Sequence, residues 1–171
     1  MTGQKLEETT LRDLAEGLGA IYEGFTETVK TLGAKSKGGK RSSKLSGSIA
    51  HWVGGGHVTT DREALCEKFM ADVQGQLELL LTAAEYAPRE EAEEAAAIAV
   101  DIMAEPRPAK SDATTDLMRR AMIGQAKPLL PYLTAQKRSQ VLELLKGAYS
   151  RWQRLPVEAE VIRELERLER I

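Results

Sequence analysis

Residues 60 to 86 place the tightest constraint on what this chain can become. Thr60 stands three residues before Glu63, the spacing of a capping box in which a hydroxyl and a carboxylate satisfy the free amides of a helix start. Apolar side chains then recur at Leu65, Phe69, Val73, Leu77, Leu80 and Ala84. Steps of three and four line one face of a helix, whereas one face of a strand needs steps of two. The pattern predicts a helix over about 61–86 with a face to bury, and therefore a partner element to bury it against.

The same period recurs along the chain. Leu11, Leu14, Leu18, Ile21, Phe25 and Leu32, with Thr28 in the remaining slot, fall at heptad spacing on a helix of about 25 residues. So narrow a seam suits either self-association or packing inside a bundle. Gly17 and Gly24 lie seven apart beside it, on a flank where another helix can approach closely, although each glycine costs roughly 0.5–1 kcal/mol of helix stability. Pro88 suits a first helical position, and "REEAEEAAAIAVDIMAE" follows as a third helix with Glu90, Glu91, Glu93 and Glu94 near its positive end. "PRPAKSD" (106–112) breaks the chain, a fourth helix is expected over 113–127, and "KPLLPYL" breaks it again. Thr134 caps a fifth helix with Val141, Leu144, Leu145, Ala148, Trp152 and Leu155 as its stripe, and Pro156 opens a sixth. The longest strand candidate, "IAHWV", is short, and no internal repeat of fixed period is present.

The expectation is an all-α fold: a bundle of about six helices with a long glycine-rich basic loop after the first. It is organised as a single helical domain over 1–171, with an N-terminal helix (1–33), a solvated basic loop (34–60) and a helical core (61–171). A length of 171 residues with 42% hydrophobic and 29% charged side chains suits one core, and 5% aromatics favours closely packed helices over a β-sandwich. Cys66 is the single cysteine, so no intramolecular disulfide points to an oxidising compartment. The opening "MTGQKLEETT" lacks the basic and apolar regions of a signal peptide, and no apolar run approaches the roughly 18 residues of a membrane span. A cytoplasmic protein with no membrane partner is expected.

Charge is nearly balanced, at −2 overall, but laid out in blocks. Residues 1–29, 30–60, 61–105 and 117–155 carry −4, +6, −9 and +7 in turn. Such alternation either pairs acidic with basic helices internally or leaves a basic face for an anionic partner.

Catalytic and metal signatures fail on spacing. A phosphate-binding loop needs a lysine followed by serine or threonine after a buried strand, but Gly39-Lys40 is followed by Arg41 and no strand precedes it. Gly54, Gly55 and Gly56 lead into a capped helix and can offer amides to an anion, or simply turn the chain. His51 and His57 are six apart across that glycine run, away from zinc-ligand spacing, and Cys66 sits on an apolar stripe. The glutamates of the third helix lack the Glu-x-x-His pairs of a di-iron bundle. "LRDLAEGLGAIYEGF" has the small, apolar and glycine positions of a helix-turn-helix, but the helix that would read DNA carries Glu23 and Glu27 against Lys30 alone. No catalytic residue, cofactor or metal is assigned.

What remains is a non-enzymatic helical interaction module, self-associating through Leu11, Leu14, Leu18, Ile21 and Phe25 or binding another protein. One alternative is sequence-tolerant binding of nucleic acid, or another anion, by Lys35, Lys37, Lys40, Arg41 and Lys44 in the basic segment 30–44. The other is a regulatory bundle that binds a small molecule.

Overall fold

The first helix opens on a cap that closes in both directions: Asp13 N donates to Thr10 Oγ1 (3.1 Å), and Thr10 N donates to Asp13 Oδ2 (3.0 Å). In this computed structural model, which describes residues 9–38, 61–105 and 113–171 with side chains of the first stretch given to residue 32, the helices are α1 (Leu11–Gly38), α2 (Asp61–Glu85), α3 (Arg89–Ala104), α4 (Ala113–Met122), α5 (Ala135–Ala148) and α6 (Pro156–Glu169). A 3-10 segment, Ile123–Tyr132, joins α4 to α5. The fold is all-α, with no strand among the described residues. None of the helices among them is long and apolar enough to cross a membrane.

α2 buries the stripe that its spacing predicts, Phe69, Val73, Leu77, Leu80 and Ala84, with Leu65 packed alongside. It lies against α1, where Phe69 stacks on Phe25 (ring centroids 4.5 Å apart) and meets Tyr22 edge-on at 6.2 Å. A helix does come close at Gly17, and it comes from the same chain. A methyl group on Gly17 would overlap the amide of Gln76, whose Nε2 donates to the Leu14 carbonyl at 2.8 Å. α3 turns an alanine-rich face inward, with Ala92, Ala95, Ala96 and Ala99 buried ahead of Val100 and Met103, and these small side chains let α1 pack close against it.

Several boundaries differ from the sequence reading, the first being that α1 continues to Gly38, past its expected end at 33 and into the segment expected as loop. α4 ends at Met122 instead of 127, and "KPLLPYL" is part of a continuous 3-10 helix instead of a break. Pro128 and Pro131 lie three apart, one 3-10 turn, so both missing donors fall on one side while Ile123, Ala126, Leu129 and Leu130 are buried. α5 is capped by Thr134, which accepts from Lys137 N at 3.1 Å as its position implies, but stops at Ala148 because Tyr149 is extended. Trp152 and Leu155 therefore do not continue the α5 stripe. Pro88 stands at the cap of α3, one position before the first helical residue, while Pro156 occupies the first turn of α6. The cap assigned to Thr60, and the 106–112 break, lie outside the described residues.

Glycine substitutions separate close packing from open surface. A methyl at Gly124 would stand 3.0 Å from Val157 Cβ at the start of α6, whereas one at Gly24 meets nothing within 4 Å. Gly124→Ala is expected to destabilise by about 1–3 kcal/mol through overpacking. Gly24→Ala is expected to stabilise by roughly 0.5–1 kcal/mol through helix propensity. Urea unfolding of the two variants checks the opposite signs.

Candidate functional site

The basic block 117–155 is largely consumed inside the fold. Four of its arginines serve backbone carbonyls: Arg119 reaches the Glu105 carbonyl at the end of α3 (2.6 Å), Arg154 reaches those of Lys146 and Tyr149 at the end of α5 (3.2 and 3.3 Å), Arg138 reaches that of Leu133 (2.8 Å), and Arg120 reaches that of Gln153 (2.7 Å). At the two helix C-termini the cation also faces the negative end of the helix. Lys127 and Lys146 pair with Glu160 and Glu166 of α6 (2.7 and 2.8 Å), and Lys137 pairs with Asp101 of α3 (2.7 Å). The acids that answer this block thus come mainly from α6, and only Lys137 crosses to the acidic block 61–105. Arg151 has no hydrogen bond or ion pair among the described residues.

Under the turn that joins α5 to α6 lies a polar cluster. Arg119, 3% exposed, donates to Asp116 and to the Tyr149 hydroxyl, both at 3.2 Å, besides the Glu105 carbonyl. Arg120 forms a two-pronged pair with Glu158 (2.6 and 3.3 Å), donates to the Gln153 carbonyl (2.7 Å), and lies 3.7 Å from the centre of the Tyr149 ring. The bond to Glu158 raises the Arg120 pKa above its ordinary value. Glu158 also accepts from Leu155 N at 2.8 Å, so one carboxylate both pairs with α4 and caps α6.

This cluster fixes the backbone from which Trp152 projects. Gln153 N donates to the Ser150 carbonyl (2.9 Å), and the Gln153 side chain accepts from Ser150 Oγ (3.0 Å). The indole itself is 94% exposed, beside Arg151. Reading Trp152 as a helical core residue missed this role, because its spacing from Leu145 and Ala148 mimics a stripe. The available signal was Pro156 four residues on, preceded by serine and glutamine, which favours a turn over another helical repeat.

The seam residues are placed by the fold as follows. Leu18 and Phe25 are buried in the chain's own core together with Ala15, Tyr22 and Val29, and Leu11, Leu14 and Ile21 pack partly buried against it. Seam residues facing solvent in the monomer are therefore not what the fold presents at Leu18 and Phe25. Lys35 and Lys37 fall within α1 at positions whose side chains are not described, and Lys40, Arg41 and Lys44 lie outside the described residues, as do His51 and His57. Burial raises the pKa of the half-buried Cys66 thiol. No group of three potential metal-ligating side chains gathers among the described residues. Comparison with protein-family models, curated proteins and solved structures gives no match.

The side chains of Arg120 and Glu158 are 14% and 4% exposed. Glu158→Ala leaves the guanidinium without its carboxylate and α6 without its cap, and should cost about 3–5 kcal/mol, the range for breaking a buried pair. Arg120→Met together with Glu158→Leu should cost less than Glu158→Ala alone, as read from denaturation midpoints. On the α6 surface, hydrogen bonds from Lys127, Arg167 and Lys146 hold Glu160, Glu164 and Glu166 below the ordinary glutamate value of 4.5. Depressed carboxylates stabilise the fold above that value and lose the contribution as pH falls through their folded-state values. Stability should decline below about pH 4.5, and Lys127→Met with Lys146→Met should flatten the decline in a urea-midpoint titration.

Proposed function

We propose that the chain is a non-enzymatic interaction module that docks on a protein surface through the turn 149–155, with Trp152 as its anchor. The observation that carries this reading is an indole 94% exposed on a turn tied down by Arg119 at the Tyr149 hydroxyl, Arg120 at the Gln153 carbonyl and the Gln153 side chain at Ser150. Burial of an aromatic side chain of this size is among the larger single contributions to association, and tryptophan and arginine are enriched among the residues that dominate interfaces. Because the turn is already ordered, docking there orders little new backbone. The ionisable groups nearest the turn support a binding role over a catalytic one. Arg119, Arg120, Glu158 and Tyr149 are held against one another, so their charges and hydroxyl are engaged in structure.

Placing the photoreactive residue benzoylphenylalanine at position 152 tests the reading in extracts of cells that express the chain. Discrete cross-linked products are expected, and they should diminish when excess unlabelled wild-type chain competes. The same probe at Leu117, half exposed on α4, serves as the control and should give none. Equal products at both positions, or products indifferent to competition, would count against a docking role for the turn.

A further inference from the structure

The Trp152 turn has a complement on the same molecule, at the opposite end of the bundle. Between the α2–α3 connection and the end of the 3-10 segment lies a cavity of about 380 Å³, lined by three alanines, Pro131 and Tyr132 and also by Glu85, Arg89 and Glu93. Tyr86, 86% exposed, stands next to it. The start of α3 is marked by the Arg12–Glu94 contact at 3.4 Å, and its end by the Arg119 bond to the Glu105 carbonyl beneath the turn. The 16 residues of α3 therefore separate the two features by about 24 Å. Each is too far from the other to meet it within one chain.

Their charges are opposite. Residues 85–94 hold five glutamates against Arg89, which is itself drawn to Glu93 at 2.9 Å. Residues 144–157 hold Lys146, Arg151 and Arg154 and no acid. Arg154 hydrogen-bonds only to carbonyls while sharing the field of Glu166 with Lys146, and Arg151 bonds to nothing among the described residues, so the cation beside Trp152 without a carboxylate partner is Arg151. An exposed indole flanked by cations thus faces outward at one end, and an alanine-lined cavity edged by glutamates opens at the other.

We infer that the Trp152 turn of one copy docks in the α2–α3 cavity of a second copy, head to tail. Trp152 enters the cavity against its alanines and Pro131 while Arg151 meets Glu85 or Glu93. The two surfaces differ, so the contact is heterologous, and every open assembly keeps one free surface of each kind, one at either end, for another copy. The inference rests on the interaction-module reading but fails separately from it. Products from position 152 that contain only a different protein would retain the module and remove the second copy.

Sedimentation velocity of the full chain tests it. Wild-type mass should rise with concentration and fall as salt is raised, since exposed charge pairs are screened. Trp152→Ala at one end, and Glu85→Arg with Glu93→Arg at the other, should each weaken association roughly thirtyfold or more, as expected for a dominant interface residue. Mixing the two variants should restore a 1:1 dimer, because each supplies the surface that the other lacks, and growth should stop there. Arg151→Glu and Tyr86→Asp, both at exposed positions, repeat the experiment if circular dichroism shows that a first variant has lost its fold. A wild-type chain that stays monomeric, single variants that still assemble like wild type, or a mixture that stays monomeric would each overturn the head-to-tail contact.

Discussion

The pair between Arg120 and Glu158 ties together segments 38 residues apart in sequence, and much of the second half of the molecule is arranged around it. Burying both charges is unfavourable unless each is fully matched. The guanidinium is matched by two carboxylate oxygens and the Gln153 carbonyl, with the Tyr149 ring against it, a set of partners that a lysine ammonium would not satisfy in the same way. Glu158, in turn, starts α6. The pair therefore sets where α6 begins, how it leans on α4 and how the intervening turn is held.

A different constraint governs the first half. The buried alanines of α3 remove side-chain bulk where α1 crosses it, and Gly17 gives the Gln76 amide room beside α1. The aromatic contacts of Tyr22, Phe25 and Phe69 fill the α1–α2 layer where side chains can be large. Small residues at one interface and rings at the next give α1 two neighbours at different distances, so a seam that is narrow in sequence becomes a buried wall.

Charge has two uses in this molecule. Most of the basic side chains after residue 116 close helix ends or hold α6 through its glutamates, and these are structural debts of the bundle itself. Arg151 and Trp152 stand apart from that arrangement, on a turn made stiff by it. An acidic, alanine-lined recess at the far end of α3 gives the molecule a direction, which suits contacts made end to end more than contacts made along a helix face.

The sequence by itself determined the helical class, the inward faces and several starts. Phe69, Val73, Leu77, Leu80 and Ala84 are buried as their spacing requires, Thr134 caps α5, and Pro156 opens α6, because periodicity and capping act within one or two turns of chain. Tertiary structure alone decided what covers each face, and it fixed the residue at which α5 stops, where Pro156 signals only that a turn must precede α6. Leu18 and Phe25 found partners on α2 and α3, and Tyr149 left the helical path in the company of Arg119, 30 residues before it, and Arg120. A repeat of three and four can show that Trp152 lies in phase with Leu145 and Ala148, but it cannot show that a distant arginine ends the helix first. The outward indole is thus a consequence of contacts between segments remote in sequence, which local spacing does not encode.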